Sequence, residues 1–240
     1  MTMMRLTWPV AVAATVLALA SPSLAAKPDK TLMMLTPEEA EFARLLPPPP
    51  ADGSPRGVAE LAEVKAVIAA DTPDRYTQAK WDDDHEDPSA FYAVVGGGFD
   101  LAKLSATKEA IAIAENDAML TARQAKSFFN RKRPWAVDAS IKTCDPDDKP
   151  LTAYPSGHAT MGYTVSLVLA ELMPAKAQAI LDRAEDYAFS RMLCGSHFAS
   201  DTEASHVLST AVFTKLMAKP GYQAKLAAAR TELKAAGLIP

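Results

Sequence analysis

Apolar positions recur along most of this chain at spacings of three and four residues, and no long run alternates apolar with polar residues. That pattern predicts helices over residues 36–46, 58–70, 73–81, 107 to about 132, 158–172, 175–192, 201–217 and 222–236. With no stretch carrying the period of a strand, the expected fold is all-α, a single-domain helical bundle. One predicted helix differs from the rest. From 158 to 172 nearly every position is apolar or small, so no polar face remains and the helix belongs in the middle of the bundle. Pro174 stops it, and Pro155-Ser156-Gly157 brings polar chemistry to its start.

The two ends of the chain change the picture in different ways. Arg5 precedes an apolar stretch, 8–20, that is too short and too rich in small residues to span a bilayer. Ser23-Leu24-Ala25 then offers a small-x-small cleavage site, so residues 1–25 are expected to be a secretory signal, with cleavage after Ala26 as the near alternative and an uncleaved anchor as the competing reading. Residues 26–57 read as an N-terminal arm containing a helix and a proline run at 47–50, and 58–240 as the main helical domain. No later segment is long and apolar enough to cross a membrane. Lys and Arg number 25 against 29 Asp and Glu, which excludes the basic surplus of a nucleic-acid scaffold binder and makes any cationic site local. Only two cysteines occur, Cys144 and Cys194, and in an oxidising compartment they most simply pair.

Four groups of polar residues interrupt the apolar pattern. Ser156 is a good N-cap and Gly157 lets another group approach the backbone, so the helix start, with its free N–H groups, suits an anion. His158 stands at its mouth. Arg191 falls eleven residues after Ile180, in line with the stripe Ile180, Ala184, Tyr187 and Ala188, which puts a guanidinium on a buried face. Such a group needs an anionic partner, either an internal carboxylate or a bound phosphate. His197 precedes Asp201 by four residues, so on a helix the carboxylate orients the imidazole. Lys126, Arg133 and Glu115 share one helix side, with Pro134 pushing Arg133 out of helical geometry and Arg131 and Lys132 reading as a solvated basic end.

In order, Lys126-x6-Arg133-Pro134, Pro155-Ser156-Gly157-His158 and Ser190-Arg191-x5-His197-x3-Asp201 resemble the three-part signature of the PAP2 superfamily, which joins acid phosphatases, lipid phosphatases and vanadium haloperoxidases. The segment Leu45-Leu46-Pro47-Pro48-Pro49-Pro50 and the stretch Ser190-Arg191-Met192-Leu193-Cys194-Gly195 are similar to those of bacterial class A non-specific acid phosphatases. The resemblance implies a PAP2/vanadium haloperoxidase-like bundle around the buried helix. It implies that Lys126, Arg133, Arg191, Ser156 and the Gly157 N–H bind phosphate, that His197 oriented by Asp201 attacks phosphorus, and that His158 protonates the leaving alcohol. Neither a metal nor another cofactor is then expected. The expected partners are small phosphate monoesters (nucleotides, aryl and sugar phosphates), with phosphotransfer alongside hydrolysis, in a periplasmic or secreted homo-oligomer. Three readings compete. A vanadium haloperoxidase would hold vanadate on His197 in the same cage, although that group carries a larger helical elaboration. A phosphate-binding module without turnover would leave His158 and the His197–Asp201 pair unused. A lipid phosphatase would need membrane helices.

Three further features are given no role. His85 lies in the acidic run 82–87, read as a solvated loop rather than a metal site. Gly96-Gly97-Gly98 lacks the Lys-Ser/Thr of a phosphate loop and at most borders the pocket. His206 is read as packing or surface.

Overall fold

A computed structural model describes residues 31–146 and 148–240; the expected signal, 1–25, lies outside the described residues. The helices are α1 (Pro55–Ala69), α2 (Pro73–Asp84), α3 (Tyr92–Val95), α4 (Ser105–Phe129), α5 (Pro134–Val137), α6 (Gly157–Leu172), α7 (Ala177–Leu193), α8 (Ala199–Met217) and α9 (Pro220–Ala235). No strand occurs among the described residues. Local chemistry sets several starts: Ser54, Thr72 and Ser156 each accept a first-turn N–H, and α1, α2, α5 and α9 begin at proline.

The all-apolar helix, α6, is the centre of the bundle and packs against α4, α7 and α8. Met161, Val165, Val168 and Leu169 are fully buried, and each aliphatic side chain so removed from water contributes about 1.5–3 kcal/mol. Its buried hydroxyls are satisfied: Thr160 Oγ1 donates to the Ser156 carbonyl at 2.7 Å, and Thr164 shares a 3.0 Å bond with Ser209 Oγ. Gly162 lets α7 come close, because a Cβ there would stand 2.8 Å from the Tyr187 ring. The Tyr187 ring in turn lies 6.2 Å from that of His158, so this packing reaches the site.

Two expectations are corrected here. Residues 36–46 form turns and one 3₁₀ turn, Phe42–Arg44, instead of a helix. The buried Asp117 carboxylate accepts the backbone N–H groups of Met33, Met34 and Leu35 at 2.6, 2.9 and 2.8 Å, and Tyr154 Oη donates to the Pro47 carbonyl. The segment is therefore tethered at both ends, and its length alone makes a helix marginal. The helix predicted to run to about 132 stops at Phe129. Asn130 takes the left-handed conformation (φ 47°), and its side-chain amide donates to the Ser127 carbonyl at 2.7 Å. Arg131 and Arg133 consequently leave the helix and turn inward.

Candidate active site

The C-terminal part of α4, the start of α6, the turn between α7 and α8, and the loop from 138 to 156 meet around a cavity of about 240 Å³. Lys126, Arg133, Gly157, His158 and His197 line it together with Glu86, Met119, Ala122, Arg123, Asp148 and Thr152. Arg191, Ser156 and Asp201 stand behind this wall. The Cys144–Cys194 disulfide, with Cα atoms 4.9 Å apart, ties the loop to the end of α7. Gly195 makes that approach possible. Its φ is +61°, and a Cβ would lie 2.6 Å from both the Lys142 carbonyl oxygen and Ile141 Cγ2. Two residues later the chain delivers His197.

His197 is held by its surroundings in one tautomer. Nδ1 lies 2.8 Å from the Ala153 carbonyl oxygen, which can only accept, so Nδ1 carries the proton. Asp201 Oδ2 stands farther off, at 3.5 Å, so the backbone carbonyl is the nearer orienting group. Nε2 is left with its lone pair, 3.0 Å from Arg133 Nη1, which donates to it. Burial, then Arg133, Lys126, Arg191 and His158, holds the His197 imidazole well below the usual histidine range, so it stays neutral in mild acid.

Asp201 is fully buried and heavily engaged. Oδ2 accepts the Phe198 N–H at 2.8 Å and Oδ1 accepts from Arg131 Nη1 at 2.5 Å. Arg131 Nη2 also donates to Glu60 Oε2 at 2.7 Å, and its guanidinium lies 4.2 Å from the Phe198 ring centroid. Arg131 is thus an internal support of the site; the solvated basic end expected from its neighbours is not what forms. Burial pushes the Asp201 carboxyl up to about 6, against the pull of Arg131.

The cations have internal partners. Arg133 donates to the Lys149 and Ser196 carbonyls, each at 3.1 Å, and pairs with Asp148 at 2.8 Å. Arg191, 1% exposed, donates to Asp83 Oδ1 at 2.6 Å, while its buried Nε has no hydrogen-bond partner among the described residues. Lys126 Nζ donates to the Thr152 carbonyl, and burial brings this ammonium down to about 7. Ser156 Oγ caps α6 by accepting the Ala159 N–H at 3.3 Å. His158 Nε2 lies 3.0 Å from the Asp83 carbonyl oxygen and Nδ1 lies 3.5 Å from Glu86 Oε1.

The acidic run 82–87 is therefore only partly a solvated loop. Asp82 is buried against Arg183 and Ser190, Asp83 holds Arg191, and Glu86 lines the cavity. Among the described residues no group of three or more His, Cys, Asp or Glu is arranged to hold a metal ion. Gly96-Gly97-Gly98 does not line the cavity; Gly97 faces Leu238 instead. His206 stacks on Tyr163 with ring centroids 4.4 Å apart. Sequence reasoning missed Asp83, Glu86, Asp148 and Arg131 as members of the site. Their one signal was charge next to a motif or within an acidic run, and that is also how an ordinary solvated surface reads.

This arrangement presents an imidazole nitrogen with its lone pair, forked and point-charge cations and a second imidazole around a space large enough for a phosphate ester, which suits phosphoryl transfer. The model of the PAP2 superfamily matches residues 110–224. The chain is 32% identical over 198 residues to an acid phosphatase of Zymomonas mobilis subsp. mobilis, covering 80% of this chain and 75% of that one. It is 29% identical over 208 residues to a non-specific acid phosphatase of Salmonella typhi, covering 82% of each. A third relative, a non-specific acid phosphatase of Providencia stuartii, is 33% identical over 122 residues, 49% of each chain. With the signature residues converging on one cavity and a relative matched over most of its length, this chain belongs to the PAP2 superfamily.

Proposed function

We propose that this chain is an exported acid phosphatase that hydrolyses small phosphate monoesters through a phosphohistidine on His197, without a metal. The observation that carries the reading is the state of His197. Its Nδ1–H is committed to the Ala153 carbonyl, its Nε2 keeps a lone pair at the cavity wall that accepts from Arg133 Nη1 at 3.0 Å and that an entering phosphoryl group would take over, and burial among cations holds the ring well below the usual histidine range. An acid phosphatase that uses histidine as nucleophile needs that combination.

In the first step His197 Nε2 forms a bond to phosphorus as the ester P–O bond breaks, and His158 gives its proton to the departing alcohol. In the second, water attacks the phosphohistidine, its proton goes to His158, and the P–N bond breaks to release phosphate. Lys126, Arg133 and Arg191 supply the fixed positive charge that the transferring phosphoryl group requires. The cavity shares Glu86, Met119 and Arg123 with an adjoining one of about 330 Å³, a space beside the site that supports a broad range of esters. The disulfide supports an oxidising compartment outside the cytoplasm.

The test is hydrolysis of p-nitrophenyl phosphate at about pH 5–6, near the unperturbed histidine range, with EDTA present, for the wild type and His197→Ala. Turnover by the wild type, a loss of about a thousandfold or more in the variant, and an acid-labile phosphoryl label on the wild type alone are expected. Loss of wild-type activity to EDTA, or substantial turnover by His197→Ala, would overturn the proposal.

A further inference from the structure

The same geometry leaves His158 with a difficulty. A general acid must hold a proton, yet burial, Arg191, Arg133 and Lys126 all push the His158 imidazole well below its usual range, and the bond to the Asp83 carbonyl only partly offsets them. That bond also decides which nitrogen does the work. The carbonyl oxygen only accepts, so Nε2 keeps its hydrogen and Nδ1 is the nitrogen that gains and loses one. The groups around the ring are Asp83 from α2, Arg123 and Lys126 from α4, Arg133 and Asp148 from the loop side, Tyr187 and Arg191 from α7, and His197 before α8. Among the described residues, the Glu86 carboxylate lies within ion-pair distance of Nδ1, at 3.5 Å.

From this placement, and resting on the phosphohistidine reading above, we infer that Glu86 is a positioning residue that keeps the catalytic proton at His158 Nδ1. Its carboxylate lies against the first residue of α6, where Oε1 would stand 3.0 Å from a Cβ on Gly157. It also lines, with Met119 and Arg123, both the phosphate cavity and the adjoining one. Partial burial raises the Glu86 carboxyl, whose side chain is still 39% exposed, while burial and the cations lower the imidazole. The two shifts bring the affinities of carboxylate and imidazole for a proton closer together, so the pair, 3.5 Å apart, has to be treated as a unit. When the P–O bond breaks, the Nδ1 proton moves to the alcohol oxygen, and the water consumed in the second step returns it. Glu86 is unchanged over the cycle.

The experiment compares Glu86→Gln with the full-length wild type on p-nitrophenyl phosphate, whose leaving group needs little protonation, and on an alkyl ester such as glycerol phosphate, whose leaving group needs a proton. Loss of general-acid support should lower kcat for the alkyl ester about tenfold or more beyond any loss on the aryl ester. The alkaline limb of the alkyl-ester kcat profile should also move to lower pH. Thermal unfolding and inhibition by inorganic phosphate report separately on fold and anion binding. Equal losses on both esters with an unmoved limb would make Glu86 merely structural, and a lower KM with unchanged kcat would make it a charge at the entrance; either overturns the inference. Failure of the underlying reading is distinguishable, because it appears as retained turnover in His197→Ala, whereas Glu86→Gln must still place the aryl ester's phosphoryl group on His197.

Discussion

Arg131 offers the sharpest test of how the site is held. Its guanidinium joins Asp201 at 2.5 Å, Ser200 Oγ at 2.7 Å and Glu60 at 2.7 Å, with all three charged side chains less than one-tenth exposed. Arg131→Met keeps bulk but leaves buried Asp201 without its cation and Glu60 with only the exposed Arg56, at 3.5 Å. Breaking a buried pair by removing one partner costs about 3–5 kcal/mol. In a chain of this size that corresponds to a fall of roughly 6–20 °C in melting temperature. The next residue supplies the contrast: Lys132 pairs with Asp52 at 3.1 Å, but both side chains are about half exposed. Lys132→Met should change stability by no more than about 0.5 kcal/mol. Glu60→Gln should fall between them, because Arg131 keeps Asp201. Thermal unfolding of the three variants, alongside kcat on p-nitrophenyl phosphate, reads both consequences. Activity of Arg131→Met should drop as well, since Asp201 also caps the turn that carries His197 by accepting the Phe198 N–H. A melting temperature for Arg131→Met within about 2 °C of wild type would refute the argument that this triad supports the site.

Three other outcomes are expected. The disulfide closes a separation of 50 residues, so Cys144→Ser with Cys194→Ser should lose about 4 kcal/mol in denaturant unfolding, and an unchanged midpoint would contradict this. Gly195→Ala should lose about 2 kcal/mol or more together with activity, because φ is +61° and the added carbon meets a backbone oxygen at 2.6 Å that has no flexible end to yield. Burial brings Lys126 to about 7, so it is charged below that pH and neutral above it. KM for p-nitrophenyl phosphate should therefore climb as pH rises through about 7, and Lys126→Met should flatten that climb; an equal climb in the variant would show that Lys126 is not the cause.

How far the sequence could be read depended on distance along the chain. α6 was legible because its lack of any polar face leaves it only one place, and Ser156-Gly157-His158 is contiguous with its start. His197 and Asp201 were legible as a pair because a separation of four residues across the entry to α8 brings them within 3.5 Å. Asp83 and Arg191 are 108 residues apart, and nothing in the run 82–87 distinguishes the aspartate that enters the site from Asp84, which stays outside. Arg131 was misread because its direction depends on one backbone conformation, the left-handed Asn130, and not on the basic residues around it. The tether of residues 33–35 to Asp117 likewise reaches across more than 80 positions, so helical periodicity in 36–46 had no competitor in view.

The internal carboxylates also bear on why such a site should favour acid. Arg191 holds Asp83 and Arg133 holds Asp148, so an entering phosphate exchanges with partners already present. Its affinity is then a difference, set by how firmly each carboxylate is held. Asp83 is almost fully buried, but Asp148 is partly exposed and its carboxyl is raised by burial against the pull of Arg133. As pH falls Asp148 discharges ahead of an ordinary aspartate and releases Arg133. Over the same range Lys126 remains charged and His197 remains neutral. Acid thus weakens the internal competitor without silencing the nucleophile, and above about 7 the loss of charge on Lys126 weakens substrate binding in addition to the loss of the His158 proton.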